Sequence, residues 1–171
     1  MNSFLNPFRA PSKTGAAWFP VGVASSFVDV GLDEREPQLC GGENAKPACK
    51  VFHVPKTDSS QRTEVGIPAD DTAQDLADQV LVFQYRGKFH AIDHECPHSS
   101  FPLSQGTPFD IEDFGIVLSA GLTCPKHNWS FDLFSGRSDR GNYRLKVWEV
   151  ELRDTEGDDK EVWVRRKPRI G

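Results

Sequence analysis

Apolar and polar residues alternate over short stretches of this chain, and each stretch ends at glycine, proline or aspartate. The clearest is QVLVFQYRGKFHAID, residues 79–93. Its period of two predicts a hairpin, with strands at Val80–Tyr85 and Lys88–Asp93 and a turn at Arg86-Gly87. Trp18–Val30 (WFPVGVASSFVDV) has the aromatic and β-branched content of one or two short strands, and Lys50–Val54 reads as another. A further set is expected at Gly115–Ser119 and Trp129–Phe134. Leu145–Leu152 and Glu161–Arg166 flank the acidic turn DTEGDD and should pair as a second hairpin. Residues 33–50 are loop-like, broken by Pro37, Gly41, Gly42 and Pro47. Residues 56–79 are polar and rich in aspartate, with at most a short helix around Thr72–Ala77. No segment sustains a helical period beyond a turn or two. The expected fold class is all-β.

The length of 171 residues fits one domain. Residues 1–15 read as a flexible N-terminal tail, and 16–171 as a single domain with a loop-rich insertion at about 33–79. No run approaches the ~18 consecutive apolar residues of a membrane span. A net charge of −5 argues against a nucleic-acid surface, which is usually basic. The first residues lack the apolar core of a signal peptide, so a reducing, cytoplasmic setting is expected. Arg9 and Lys13 without an acid in the first 28 residues give the mitochondrial matrix as the alternative. Cysteines in a reducing compartment tend to bind metal or do redox work.

Four cysteines are present, and two of them stand in short mixed clusters. Cys96-Pro97-His98 is followed after 25 residues by Cys124-Pro125-Lys126-His127. Each cluster joins one thiolate to one imidazole and stiffens the loop with a proline after the cysteine. Two Cys and two His could hold tetrahedral zinc, but zinc sites usually pair like ligands locally. An asymmetric two-iron cluster needs the mixture seen here, with two thiolates on one iron and two imidazoles on the other.

The loops CPHSSFPLSQG and CPKHNWSFDLFSG together resemble the Rieske [2Fe-2S] proteins, in particular the soluble Rieske-type ferredoxins. The second loop matches that family's Cys-Pro-x-His followed by Phe-Asp-x-x-Ser/Thr-Gly. The stretch FDIEDFG is similar to the small Rieske-domain proteins of eukaryotes. The resemblance covers about residues 79–165, with Trp18–Val30 in addition. It implies a fold of three small antiparallel sheets with two cluster-binding loops at one tip, and one Rieske-type [2Fe-2S] cluster per chain. Cys96 and Cys124 would ligate the inner ferric ion, and His98 and His127 the outer, redox-active iron.

This chain departs from the family pattern in three places. Asn128 stands where a Gly usually follows the second His. GNYRL (Gly141–Leu145) replaces a Pro-containing third loop, and the 33–79 segment is longer than in simple Rieske ferredoxins. In high-potential relatives a Ser and a Tyr, two and four residues after the second His, donate hydrogen bonds to the cluster. Trp129 and Phe131 hold those positions here, which places the expected potential at the low end of the family range.

The remaining candidates carry weaker expectations. Cys40 and Cys49, with eight residues between them, could bond to each other or bind a second metal, but read more simply as free thiols. The family's inter-loop disulfide needs an extra Cys in each loop, and neither loop has one. His94 ends a strand just before Cys96 and is a minor ligand candidate. His53 and His90 read as ordinary strand residues, and Arg165, Arg166, Lys167 and Arg169 as a solvated basic tail.

The expected function is a soluble one-electron carrier with no catalytic site of its own, working as a monomer. It would pass electrons from a flavin-dependent reductase to an oxygenase or similar acceptor. The absence of a Gly-rich dinucleotide fingerprint assigns the flavin or nicotinamide to another protein. A Rieske oxygenase would need a separate iron site with two His and a carboxylate, and only His53, His90 and His94 remain. The alternatives are a small Rieske subunit of a larger oxidoreductase, such as a nitrite-reductase-like complex, or a zinc-stabilised binding module.

Overall fold

The structure is a computed structural model that describes residues 15–31, 39, 48–67 and 75–167. Eleven strands are present among them: β1 (Phe19–Val23), β2 (Asp29–Val30), β3 (Cys49–His53), β4 (Thr63–Val65), β5 (Gln79–Tyr85), β6 (Lys88–Asp93), β7 (Thr107–Asp113), β8 (Ile116–Thr123), β9 (Ser130–Asp132), β10 (Glu149–Asp154) and β11 (Lys160–Arg165). The described residues contain no α-helix, only short 3-10 turns such as Leu103–Gln105. The strands form three sheets: β1-β11-β10, a five-stranded sheet around β5, and β7-β8-β9. All pairings are antiparallel except β2 with β5. The all-β expectation of three small, mostly antiparallel sheets holds.

Strand β5 is buried on both faces and divides the interior in two. Leu81, Phe83 and Tyr85 point into a core with Leu122, Phe131 and Leu145. Val80 and Val82 point the other way, onto Phe19, Trp148, Val162 and Val164. The period of two therefore assigns one face of the central sheet to β7-β8-β9 and the other to β1-β11-β10. Cys96 and Cys124 belong to the first of these cores.

The hairpin expected at 80–93 forms as β5 and β6, and the one after residue 145 forms as β10 and β11. Sequence periodicity missed two strands, β4 and β7. β7, TPFDIED, contains Pro108 and three acids, so it does not read as a strand. It is an edge strand paired only with β8, where a proline and outward acids are tolerated. The expected helix around Thr72–Ala77 lies mostly outside the described residues, and Ala77 is in a turn. The N-terminal tail expected at residues 1–15 falls almost wholly outside them as well.

Of the basic C-terminal residues, Lys167 is exposed as expected, but Arg165 and Arg166 are not part of a solvated tail. The Arg166 guanidinium donates to the backbone carbonyls of Gly15, Val54 and Pro55 at 2.6–3.3 Å. It also lies 3.7 Å from the Asp78 carboxylate. Arg165 pairs with Glu149 across the β10-β11 hairpin. Arg169 lies outside the described residues.

Candidate metal centre

Strand register sets the two cysteine loops side by side. The first loop follows β6 and runs into β7; the second connects β8 to β9. Thr107 at the start of β7 pairs with Thr123 at the end of β8, one residue before Cys124. Both loops have the same backbone frame. The Cys96 N–H donates to the Phe101 carbonyl at 3.0 Å, and the Ser100 N–H to the Cys96 carbonyl at 2.9 Å. In the second loop the Cys124 N–H donates to Trp129 at 2.8 Å, and the Asn128 N–H to Cys124 at 3.0 Å. Each frame closes through a left-handed residue, Ser100 with φ 57° and Asn128 with φ 59°. This explains the departure at Asn128: the position needs positive φ, which Gly adopts freely and Asn tolerates.

All four predicted site residues come together at this end of the sheets. The Cys96 and Cys124 thiols are each 1% exposed. The Cys124 thiol donates to Cys96, which lowers the pKa of Cys96 and raises that of Cys124. The Ser99 hydroxyl lies 3.6 Å from the Cys124 sulfur and favours the thiolate. Backbone N–H groups of His98 and Ser99 do the same for Cys96, and that of Lys126 for Cys124.

The two imidazoles sit together, with ring centroids 5.2 Å apart. His127 is exposed and His98 half-buried. The His98 ring stacks on Trp129 at 3.8 Å and 9° between planes. Its Nδ1 is buried and has no hydrogen-bond partner.

This donor set fits a cationic iron–sulfur group. A buried ring nitrogen without a partner is costly unless something accepts its lone pair. Two adjacent buried sulfurs with N–H and O–H donors around them are arranged for thiolates, which cannot both ionise without a cation. Among the described residues, no three His, Cys, Asp or Glu side chains group as a single metal ion would require.

The other candidates fall away on geometry. His94 has both ring nitrogens engaged, Nδ1 with Gln79 Oε1 and Nε2 with Ser104 Oγ, each at 2.8 Å. It is a buttress for the first loop, since its backbone carbonyl also accepts from Leu103 N–H. His90 is buried between Phe83 and Phe134, and desolvation lowers its pKa to about 4. Cys49 is buried in β3 opposite Phe83. Cys40, its possible partner, lies outside the described residues.

A family model described as the Rieske [2Fe-2S] domain matches residues 47–148. The chain belongs to that family. It therefore carries a Rieske-type [2Fe-2S] cluster. A human Rieske domain-containing protein is 38% identical over 58 residues, covering 34% of this chain and 34% of that protein. The ferredoxin subunit of methanesulfonate monooxygenase from Methylosulfonomonas methylovora is 31% identical over 80 residues, covering 44% of this chain and 56% of that subunit. The chain thus spans only about a third to a half of these relatives' lengths. A solved structure assigned to an NADH-dependent nitrite reductase small subunit of Mycobacterium tuberculosis aligns over 90% of this Rieske chain and 97% of its own, with TM-score 0.53. At 15% identity it supports the fold alone.

Two residues near the site escaped sequence reasoning. Ser99 reads as a loop serine, and nothing local says that its hydroxyl reaches the other loop's sulfur. Tyr143 lies in GNYRL, and its ring meets both His98 and Trp129 edge-on at 5.3 Å. The local signal for it was the glycines. Gly136, at φ 76°, has no room for a Cβ beside the Leu145 carbonyl, and a Cβ on Gly141 would stand 3.0 Å from the Trp129 ring. Both hold the 136–145 segment against the site.

Proposed function

We propose that Cys96 and Cys124 hold the inner iron of the cluster, that His98 and His127 hold the outer iron, and that the protein is a one-electron carrier. The observation that carries this reading is the gradient of exposure across the four side chains. Both thiols are sealed in the core, while His127 is exposed and His98 half-buried. An electron held between the two irons would thus have its short path to a partner through the imidazole side. When bound, the cluster supplies the one-electron redox chemistry. The chain's own residues orient the ligands, surround the sulfurs with donors and exclude water from them.

The proposed acceptor is an oxygenase-type protein and the proposed donor a flavin-dependent reductase. The similarity to the ferredoxin subunit of methanesulfonate monooxygenase supports this pairing. Strand β1 pairs with β11 and β2 with β5, which supports residues 16–171 as one domain. No helix among the described residues is long and apolar enough to cross a membrane. A cytoplasmic site of action is part of the proposal.

The test is direct. Aerobically purified protein should be red-brown, with two iron and two acid-labile sulfide per chain, as a [2Fe-2S] centre requires. Cys96→Ser and Cys124→Ser should each abolish the colour, while Cys49→Ser should keep it. Stoichiometric zinc in freshly isolated, iron-replete protein would overturn the ligand assignment. Voltammetry should give a midpoint below about +100 mV at neutral pH, within the family span of about −150 to +300 mV. A higher value would refute the ferredoxin-type role.

A further inference from the structure

The charge around the imidazole end runs against the charge of the chain. The whole protein carries −5. Its acids concentrate elsewhere, for example in the Asp154–Asp159 turn and at Glu112 and Asp113 beside the β7-β8 turn. That turn is a hairpin length from Cys124, about 23 Å for seven residues. Close to His98 and His127 the balance reverses. The Arg140 guanidinium lies 5.8 Å over the Trp129 ring that stacks on His98. Arg144 follows Tyr143, and Arg137 faces Arg144 in an antiparallel bridge. Arg137, Arg140 and Arg144 are exposed. Of the carboxylates described beside them, Asp132 is engaged by the Ser119 hydroxyl and by the Phe134 and Ser135 N–H groups. Asp139 is already engaged by Arg140 at 3.3 Å and by the Ser130 N–H at 3.1 Å.

The Arg137–Arg144 bridge is the telling feature. Like charges directly opposite each other on paired strands destabilise the pairing. Neither arginine is within ion-pair distance of a carboxylate among the described residues. The backbone fixes both in place through the Leu145 N–H to Gly136 carbonyl bond at 2.8 Å and the Asp132 N–H to Arg137 carbonyl bond at 2.8 Å. The exposed Tyr143 immediately precedes Arg144, and its ring meets His98 and Trp129 edge-on. An aromatic residue framed by arginines is the composition of a docking hot spot rather than of a solvated face.

We propose that the face made by Arg137, Arg140, Arg144 and Tyr143 docks the acidic surface of a redox partner protein, so that local and not net charge governs electron exchange. The inference rests on the electron-carrier reading and adds the chemistry of the partner. A partner ringed by carboxylates would be drawn to this end of an otherwise acidic molecule and repelled from the rest. Charge asymmetry would then set orientation as well as encounter rate.

The experiment uses the intact cluster-loaded protein, with iron, sulfide and visible spectrum verified on the same sample. Protein reduced by dithionite and freed of excess reductant gives one electron to ferricyanide, which becomes ferrocyanide, and stopped-flow absorbance follows the rate. The cationic oxidant hexaammineruthenium(III), which becomes ruthenium(II), is run in parallel. Salt is varied from about 0.1 M to about 1 M, where the screening length of ~10 Å down to ~3 Å excludes the distant charges. The ferricyanide rate should fall about threefold or more with salt, and the hexaammineruthenium rate should rise.

Arg137→Glu/Arg144→Glu should reverse both trends. Lys160→Glu/Lys167→Glu makes the same change in net charge at β11 and beyond, in the sheet across β5 from the site, and should leave them unchanged. Poly-L-glutamate, standing in for the acidic partner, should slow ferricyanide oxidation of the wild type at matched ionic strength and spare the Arg137→Glu/Arg144→Glu protein.

Rates that follow the net charge, with the ferricyanide rate rising with salt in the wild type, overturn the proposal while the carrier reading stands. So does equal sensitivity of the two double variants. A salt-sensitive dimer of the wild type, lost in Arg137→Glu/Arg144→Glu, would assign the face to a second copy and overturn the acidic-partner assignment. A protein that takes up no cluster overturns both readings.

Discussion

The first cysteine loop, Cys96–Phe101, and the second, Cys124–Trp129, are two uses of one backbone frame. Each has a cysteine, a proline, a left-handed residue four places after the cysteine, and the same pair of hydrogen bonds. They differ in where the imidazole stands: third in the first loop, fourth in the second. They also differ in support. The first loop is clamped from beneath by the buried His94–Gln79–Ser104 network. The second is a strand connection tied across its neck by Thr123 and Ser130, whose hydroxyls lie 2.9 Å apart. The frame therefore sets the sulfurs, and side-chain placement on it sets the imidazoles. Two loops of matching backbone can present their imidazoles unsymmetrically because one residue of offset re-aims a ring without disturbing the turn.

Erasing the offset should have the largest effect. The double variant His98→Lys/Ser99→His gives the first loop the spacing of the second. It should fold with the same turn yet lose the Rieske absorption, with iron and sulfide falling to background. Retention of the spectrum would show that the offset is incidental.

Acid should loosen the ground under the second loop. His90 is held neutral by burial and by Lys88, opposed by Asp132, with its pKa lowered to about 4 against an ordinary 6.5. Below pH 6.5 the unfolded chain takes up a proton that the folded chain refuses, so stability is present above that pH and declines as pH falls toward 4. The ceiling is about 3 kcal/mol. His90→Phe keeps the edge-to-face contact with Phe134, and should flatten part of this slope in denaturant titrations between pH 7 and 4. An unchanged slope would mean that His90 does not titrate as its burial implies.

The loops also cooperate through Ser99, which belongs to the first and donates to the sulfur of the second. A donor to a ligand thiolate favours the extra electron. Ser99→Ala should therefore lower the midpoint potential, by on the order of tenfold in the one-electron equilibrium, or ~59 mV. Ser99→Thr should retain most of the wild-type value. No shift on removing the hydroxyl would sever this link between the loops.

The smallest effect concerns the left-handed residues. Serine is a poor occupant of positive φ and asparagine a fair one. Ser100→Gly should stabilise the protein by up to about 1 kcal/mol, and Asn128→Gly should change it by less than about 0.5 kcal/mol. Chemical denaturation of the loaded protein measures both. Equal responses would mean that the two frames are strained alike.

The chemistry was legible because ligand type and local spacing are properties of the chain. A thiolate and an imidazole in each of two short loops can be read without knowing how the loops meet. The hairpins at residues 79–93 and 149–165 were legible for a similar reason, since alternation with a turn between is local. β7 was not, because a strand at a sheet edge can carry proline and acids that a local reading treats as loop. Arg166 was misread for the opposite reason. Its basic neighbours suggest a tail, and only the fold brings carbonyls from Gly15, Val54 and Pro55 to its guanidinium.

Sequence alone thus determined the two mixed Cys/His loops, the family and the all-β class, each written in residue type and spacing over a few positions. Tertiary structure decided that β7 and β8 hold the two loops in register, that Ser99 crosses from one loop to the other's sulfur, and that Tyr143 meets the half-buried His98 ring. Those outcomes depend on groups far apart in the chain, such as His98 and Tyr143. Their distance is set by strand pairing and by which face of β5 each core claims, and neither is encoded in any single stretch.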